Sequence, residues 1–398
     1  MQTYGVAVIG LGLVGSAALC HAGKDHRPIG VGLAEPTDWA RHTGPFASHY
    51  DSGRITRRLD ARREWAVLAS RSIERYSLIE QMSNTTFHHP TGMVFVRRDA
   101  DGIARQHAVA DELGIPITTT SSESLDTAYH LPSGWTCLYE PGPAGFIDPR
   151  AMVRAQLSWA ADQGAEIRRT TARAIEPTAG GFRISLGDGT RFAAEEVIVA
   201  TGAYGNGLTS RPLAVSVRPE AVILAEVDAM VAENLSIPAA IHLLEHPQLD
   251  DVYIVPPARY PDGKSYVKMG GSWFGAAPLV DGDAMSAWMS GSDADAQFGT
   301  MRDVLTSLLP SVPFRSFTMK PCLITDTDGG LPMIGRMDDG RVVARAGNGH
   351  AAKSADAIGA LATGLAREHR WVDTELDEDL FRPTYGRFDP GAGSRHGT

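Results

Sequence analysis

The feature that most constrains the fold is a glycine-rich turn near the amino terminus. Residues 6–9 are apolar and mostly β-branched, which is typical of a strand buried on both faces. They lead directly into a Gly-x-Gly-x-x-Gly pattern formed by Gly10, Gly12 and Gly15, and then into small residues that suit a helix. A second apolar run ends at Glu35, so the first forty residues predict a β-α-β unit.

This unit predicts a dinucleotide site. Gly10 permits the tight turn, Gly12 lets the backbone approach the pyrophosphate, and Gly15 allows close packing of the helix. The helix N-terminus offers N–H groups to the phosphates. Glu35 follows Gly15 by about 20 residues, the distance at which a carboxylate accepts hydrogen bonds from ribose hydroxyls. The pattern serves NAD and FAD equally, so it leaves the nucleotide open.

The length of 398 residues exceeds the roughly 250–300 at which one hydrophobic core stops growing, so two lobes are expected. We predict an α/β fold in which a Rossmann-type domain carries an inserted α+β domain, built on an antiparallel or mixed sheet and expected to bind substrate. The predicted boundaries are 1–82, 145–213 and 321–385 for the nucleotide-binding domain, 83–144 and 214–320 for the inserted domain, and 386–398 for a flexible tail.

Composition restricts the partners and the compartment. The net charge of −10 and the absence of a basic patch disfavour nucleic acid. No apolar run approaches the 18 or so residues of a membrane span, and no secretory signal is visible. Cys20, Cys137 and Cys322 are too few and too scattered for a disulfide framework or a zinc site. We expect a cytoplasmic protein without a metal, and we assign Cys20 to the core.

Four further motifs resemble one family. The chain is similar to the amine-oxidising flavoproteins grouped with D-amino-acid oxidase, in the branch of monomeric sarcosine oxidase and N-methyltryptophan oxidase. The resemblance extends over nearly the whole chain, to around residue 385. The motifs are Ser48-His49 with Arg54-Ile-Thr-Arg57, Tyr253-Ile-Val-Pro256 leading to Lys268-Met-Gly270, Lys320-Pro-Cys322-Leu-Ile-Thr325-Asp-Thr-Asp328, and Gly349-His350-Ala-Ala-Lys353.

The resemblance implies FAD as the cofactor. Cys322 resembles the cysteine that bonds the flavin 8α-methyl group, so a covalent link is expected; the alternative is a buried, inert thiol. The residues expected to hold the cofactor are Gly10, Gly12, Gly15, Glu35, Ser48, His49, Arg54, Cys322, Gly349 and Lys353.

The resemblance also implies roles in substrate binding and catalysis. Arg57 and Lys353 are expected to bind a substrate carboxylate, because a guanidinium fork and an ammonium satisfy both oxygens. Lys268 is expected near the flavin N5 edge, where its charge stabilises developing superoxide. His350 and Tyr253 are expected to line the substrate cavity, although either could equally be a core residue. Catalytic roles are assigned to Lys268, His350 and Arg57.

The implied reaction is oxidation of a secondary amine or amino acid that bears a carboxylate, of the N-methyl or cyclic imino acid class. A hydride equivalent passes to the flavin to give an imine, and dioxygen then takes the electrons to give hydrogen peroxide. Ile324 stands where sarcosine-oxidising members carry an aromatic hydroxyl, and Ser272 replaces a histidine. These changes disfavour sarcosine itself and favour a bulkier amine. The protein is expected to act as a monomer.

Three other interpretations stay open at this point. The chain could be an FAD-dependent dehydrogenase that passes electrons to a carrier, with no role for Lys268 in oxygen reduction. It could be a noncatalytic flavin-bearing subunit of a larger assembly. It could also be a nicotinamide enzyme that uses the same β-α-β unit. The side chain and stereochemistry of the substrate do not follow from the sequence.

Overall fold

A computed structural model of the chain describes residues 2–39, 41–42, 44–125 and 127–388. Nineteen strands lie within these ranges. In chain order they are β1 Thr3–Ile9, β2 Ile29–Val31, β3 Arg54–Thr56, β4 His88–His89, β5 Met93–Arg97, β6 Thr118–Ser121, β7 Thr136–Glu140, β8 Gly145–Ile147, β9 Glu166–Arg168, β10 Ala172–Thr178, β11 Gly181–Leu186, β12 Arg191–Val199, β13 Ser216–Val227, β14 Ala239–Leu243, β15 Leu249–Arg259, β16 Ser265–Trp273, β17 Phe317–Asp326, β18 Met333–Arg336 and β19 Val342–Arg345.

Eight α-helices connect these strands in the described ranges. They are α1 Leu13–Ala22, α2 Arg63–Ser83, α3 Ala100–Leu113, α4 Pro149–Asp162, α5 Ala229–Asn234, α6 Gly282–Ser290, α7 Phe298–Leu308 and α8 Ala351–Glu368. None of the helices in the described part of the chain is both long enough and apolar enough to span a bilayer.

The first sheet contains the glycine-rich β-α-β unit. Its strand order is β10-β11-β12-β1-β2-β9, and β19 pairs with β12 and β18. Strand β1 is parallel to both of its neighbours, β12 and β2. Helices α1, α2, α4 and α8 share a hydrophobic core with one face of this sheet, and Cys20 lies buried in that core as predicted. A mostly parallel sheet with helices packed on its face is the Rossmann-type arrangement.

The second sheet is larger and mostly antiparallel. Its strand order is β17-β13-β16-β15-β14-β5-β7-β6, with β14 and β5 as a parallel pair. Helix α7 packs its buried residues into the core beneath this sheet. A third, small sheet has the order β3-β8-β4. The predicted fold class, α/β with a second mixed-sheet unit, is confirmed.

The start of α4 has a clear signal in the sequence. Asp148 caps α4 by accepting a hydrogen bond from the backbone N–H of Ala151 at 3.0 Å, and Pro149 is its first residue. The domain boundaries stay a prediction, and the boundary placed at 321 falls inside β17, a strand of the second sheet. Of the predicted tail 386–398, residues 389–398 lie outside the described residues.

Candidate active site

A cavity of about 1880 Å³ lies between the two large sheets. The carboxyl ends of β1 and β2 form one wall, since Gly10, Gly12 and Gly32 line it. The facing wall includes Glu220 and Cys322, from neighbouring strands of the second sheet. Sites for drug-sized ligands measure roughly 300–1,000 Å³. This cavity is therefore large enough for a dinucleotide together with a second small molecule.

The glycine turn has the geometry that a pyrophosphate requires. Gly10 has a φ of +98°, in the region that favours glycine. A Cβ atom built on Gly15 would lie only 1.7 Å from the carbonyl oxygen of Gly10. The N-cap of α1 is Gly12, which has no side chain to bond the first-turn N–H groups. These N–H groups are therefore available to phosphate oxygens.

His49 lies beside this turn. A Cβ atom on Gly12 would approach its Nδ1 to 3.8 Å, and Nδ1 is buried without a hydrogen-bond partner among the described residues. Burial lowers the pKa of His49 to about 3, so the imidazole is neutral. A neutral imidazole whose nitrogen lacks a partner fits a ligand placed over Gly12. The residues at this end of the cavity therefore fit a dinucleotide.

Substituting alanine for Gly15 should abolish stable flavin binding. The added Cβ would force α1 away from β1, and we expect destabilisation of at least about 3 kcal/mol. Flavin content after gel filtration and the thermal midpoint measure this effect. Gly180→Ala is the matched control, since its Cβ would meet no atom within 4 Å. A Gly15→Ala protein with a full complement of flavin would contradict the assignment.

Glu35, the predicted ribose-binding acid, lines the cavity and is held by an arginine. The Arg150 guanidinium donates to both of its carboxylate oxygens, each at 2.7 Å, and also donates to Ser52 Oγ at 3.0 Å. A carboxylate has about four lone-pair positions, so Glu35 can still accept from a hydroxyl group. Arg150 follows the first residue of α4, and the sequence pattern did not single it out.

Asp51 binds two of the predicted site residues, Lys268 and Arg54, and one tyrosine, Tyr260. Its carboxylate accepts hydrogen bonds from Lys268 Nζ at 2.6 Å and from the Tyr260 hydroxyl at 2.8 Å, and it pairs with Arg54. Although burial raises the pKa of Asp51, the charges of Lys268 and Arg54 hold it below its ordinary value. Burial lowers the pKa of Lys268, and Arg54 adds to this effect. Lys268 is fully buried behind the cavity wall, and Asp51 lies on that wall.

Cys322 lies on the cavity wall close to this group. Its Sγ is 3.6 Å from Arg54 Nη2, and its register partner across β13 and β17 is Glu220. Burial raises the pKa of the thiol, and the positive charge of Arg54 opposes that rise. The Trp288 indole donates a hydrogen bond to the Cys322 carbonyl at 3.0 Å, which fixes the strand at this point. Formation of a thiolate here depends on Arg54.

A second group, which we call the Asp60 cluster, consists of Asp60, Arg57, His350 and Lys353. One carboxylate oxygen of Asp60 is 2.9 Å from Lys353 Nζ, 3.1 Å from His350 Nδ1 and 3.4 Å from Arg57 Nη2. Asp60 is fully buried, whereas the other three residues line the cavity. The loop before α2 and the first turn of α8 bring these residues together.

The Asp60 cluster presents donors to the cavity. Arg57 is buried over the ring of Phe95, and its Nε has no hydrogen-bond partner among the described residues. The His350 ring stacks on Trp65 with 5.0 Å between centroids. Burial lowers the pKa of His350, so it is neutral at pH 7, and burial lowers the pKa of Lys353 to about 8. A positively charged pair with an unsatisfied N–H fits an anion.

Tyr253 and Glu220 also line the cavity and are close to each other. The Tyr253 hydroxyl is 3.4 Å from Glu220 Oε1, and Lys268 Nζ lies 5.3 Å from the centre of the Tyr253 ring. Burial raises the pKa of Glu220, and the neighbouring Arg218, at 3.3 Å, opposes this rise. Ile324 contributes an apolar side chain to the same cavity.

Most of the residues singled out from the sequence thus meet at one cavity. Two lie behind its wall, Gly15 inside α1 and Lys268 beside Asp51. Four residues of the site were missed, and only Asp51 stands within a recognised motif. The predicted residues that line the cavity are Gly10, Gly12, Glu35, Ser48, His49, Arg54, Arg57, Tyr253, Cys322, Ile324, Gly349, His350 and Lys353. The missed residues are Asp51, Asp60, Arg150 and Glu220.

Comparison with known proteins gives a family match over residues 5–365, to the family described as FAD dependent oxidoreductase, DAO. A monomeric sarcosine oxidase of Streptomyces avermitilis is 29% identical over 209 residues, which are 51% of this chain and 52% of that protein. The bifunctional protein MnmC of tRNA 5-methylaminomethyl-2-thiouridine biosynthesis in Idiomarina loihiensis is 34% identical over 122 residues, 30% of this chain and 20% of that protein. The matches span about half and a fifth of these curated relatives.

Solved structures share the fold over nearly the whole chain. NikD, described as an unusual amino acid oxidase essential for nikkomycin biosynthesis, has a TM-score of 0.75 at 20% identity, covering 97% of this chain and 98% of that one. L-proline dehydrogenase from P. horikoshii has a TM-score of 0.72 at 15% identity, covering 96% and 97%. Iminodiacetate oxidase from Chelativorans sp. BNC1 has a TM-score of 0.70 at 17% identity, covering 95% and 99%.

Proposed function

The chain belongs to the DAO family of FAD dependent oxidoreductases, and we propose that it oxidises a small secondary amine or amino acid that carries one carboxylate. The observation that carries this proposal is the buried Arg57 guanidinium. Its Nε is buried without a hydrogen-bond partner in the described part of the chain, the residue lines the cavity, and the Lys353 ammonium lies in the same cluster. A buried cation with an unused donor requires an anion.

The residues that would hold FAD lie at the other end of the same cavity. The turn from Gly10 to Gly15 and the start of α1 would hold the pyrophosphate, and Glu35 the ribose. Ser48, His49 and Arg54 line the same cavity, and Arg54 pairs with Asp51 there. When bound, FAD supplies the two-electron acceptor for oxidation of the C–N bond, and dioxygen regenerates it with release of hydrogen peroxide.

The chain's own residues orient the substrate. Arg57 and Lys353 fix the carboxylate, which directs the amine toward the centre of the cavity. His350 is a neutral hydrogen-bond group beside them. Ile324, Trp273 and Phe274 line the cavity and favour an apolar or ring-containing substrate over sarcosine. The relatives described as sarcosine, amino acid and iminodiacetate oxidases support an amine with a carboxylate as the substrate.

A peroxide-coupled screen tests this function. Purified protein is mixed with N-methyl amino acids, cyclic imino acids and matched amines that lack the carboxylate, with dioxygen as the electron acceptor. We expect peroxide from members of the first two sets and little from the third. Peroxide formation that is equally fast with amines lacking a carboxylate would contradict the role of Arg57.

Covalent attachment through Cys322 is part of the proposal. The thiol lines the cavity near Arg54, whose charge favours the thiolate. The thioether would replace one C–H bond of the flavin methyl group, and the two electrons released would pass to the flavin ring and from there to dioxygen. We expect acid precipitation to leave the yellow colour in the pellet of the native protein and to release it from Cys322→Ser. Cys137→Ser, which removes a buried thiol outside the cavity lining, is the matched control. Free flavin released from the native protein would contradict the link.

A dehydrogenase is the second candidate, and one observation favours it. The Lys268 ammonium, expected to assist dioxygen, is buried behind the wall and bonded to Asp51 and to the Gly53 carbonyl at 2.8 Å. A substrate that reduces the flavin without peroxide release in air, while an artificial dye sustains turnover, would identify this alternative. One of the structural neighbours is described as a dehydrogenase, which also supports this alternative.

A further inference from the structure

We propose that Asp60 is a positioning residue: its carboxylate holds the Arg57 guanidinium and a protonated Lys353 ammonium side by side to receive a single carboxylate group. The inference rests on the proposed function, because it concerns the same substrate end. It adds to the site a residue, Asp60, that belongs to none of the sequence motifs. It also adds a measurable property, the pH at which carboxylate binding weakens.

The position of the Asp60 carboxylate supports this role. Asp60 is fully buried and does not line the cavity, so it does not act on the substrate directly. One of its oxygens lies within 3.4 Å of Lys353, His350 and Arg57. Its other oxygen accepts a hydrogen bond from the backbone N–H of Arg62 at 3.2 Å, just before α2 begins. The carboxylate is therefore anchored to the backbone and contacts all three polar residues.

The negative charge of Asp60 keeps Lys353 protonated. Burial and the nearby Arg57 both disfavour the charged ammonium of Lys353, and the Asp60 carboxylate favours it. Glu140, on β7, adds a smaller favourable effect. His350 is neutral above its lowered pKa. Arg57 is attracted by the carboxylates of Asp60, Glu140 and Asp251, and Lys353 by those of Asp60 and Glu140, so Asp60 is the acidic group that acts most strongly on both cations.

The sign of the pH dependence follows from these shifts. The pKa of Lys353 is lowered to about 8, so the ammonium is charged below that pH and is lost above it. Carboxylate binding to the native protein should be constant below pH 8 and weaken above it. We call the pH at which binding begins to weaken the break. Without the Asp60 charge the ammonium loses its closest stabilising partner, so the break should move to lower pH, by about one to three pH units.

The test measures binding of acetate to the flavin-loaded protein between about pH 6.5 and pH 9. Acetate is a carboxylate without an amine and cannot be oxidised at a C–N bond, so the readout is a Kd from the change in flavin absorbance and does not depend on turnover. The proteins are native, Asp60→Asn, Asp60→Glu and Lys353→Met. Asn keeps the shape and the oxygen that accepts from Arg62, and Glu keeps the charge.

We expect a break near pH 8 in the native protein, a break at lower pH in Asp60→Asn, recovery in Asp60→Glu, and no break in Lys353→Met. An unchanged break in Asp60→Asn, or a break that persists in Lys353→Met, would overturn the proposal. If Asp60→Asn fails to fold, Asp60→Ser takes its place, because it also removes the charge, and an unchanged break in that variant would overturn the proposal in the same way. Failure of acetate to bind the native protein at any pH would instead count against the proposed carboxylate site.

Discussion

Replacing Arg57 with alanine is expected to lower kcat/KM for a carboxylated amine by about 30-fold to several thousandfold. This corresponds to the roughly 2–5 kcal/mol lost when one partner of a buried, hydrogen-bonded charge pair is removed. The variant should still fold, because Asp60 keeps its contacts with Lys353 and His350. Steady-state kinetics with the best substrate from the peroxide screen gives the measurement.

Two comparisons separate substrate binding from general damage. Arg57→Lys should restore only part of the activity, since an ammonium cannot supply the planar fork of a guanidinium. Arg63→Ala removes an arginine that pairs with Glu112 and Glu375 at the surface, and it should leave the kinetics unchanged. Equal losses for carboxylated and uncarboxylated amines in Arg57→Ala would show that the residue is merely structural.

Replacing Lys268 with methionine is expected to slow reoxidation by dioxygen by about 100- to 1,000-fold. Removal of one preorganised donor next to a developing anion costs this much in other enzymes. The rate of anaerobic reduction by substrate should change little, because Lys268 lies behind the wall and away from the Asp60 cluster. Stopped-flow absorbance separates the two half-reactions.

The Lys268 variant has a matched control in Lys264→Met. Lys264 directly precedes β16, is half exposed and pairs with Glu226, so its loss should leave both half-reactions unchanged. Asp51 in Lys268→Met still pairs with Arg54 and Tyr260, which limits the structural cost. An unaltered rate of reoxidation would remove the physical basis for an oxidase and favour the dehydrogenase.

The parts of the fold that were predictable are those with strong local signals. The β-α-β unit was predictable because residues 6–9 of β1 are all apolar and three glycines follow them in the spacing of a nucleotide-binding turn. The start of α4 was predictable because an Asp cap precedes a proline. Helix α6 and the β10-β11 hairpin were not anticipated. Helix α6 has only two buried residues, so its sequence carries little apolar periodicity.

The residues of the candidate site could be predicted where they belong to a recognised motif, but not where they stand outside one. Arg57, Cys322 and Lys353 belong to segments that resemble a known family. Asp60 and Glu220 stand outside those segments, and an isolated acidic residue in a sequence is usually solvated. Asp60 is buried against Lys353, which comes from a distant part of the chain, and Glu220 is buried in the cavity wall beside Arg218 and opposite Cys322. Periodicity and spacing do not report such contacts, because only the folded chain brings them together.

The central claim is that one cavity holds FAD and a carboxylated amine, and anaerobic titration tests it most directly. The purified yellow protein is mixed with N-methyl and cyclic amino acids in the absence of dioxygen. The visible absorbance of the oxidised flavin is then followed. We predict that at least one of these compounds bleaches the flavin and that air restores the colour with release of peroxide. A flavin that dithionite reduces but that none of these compounds bleaches would contradict the account.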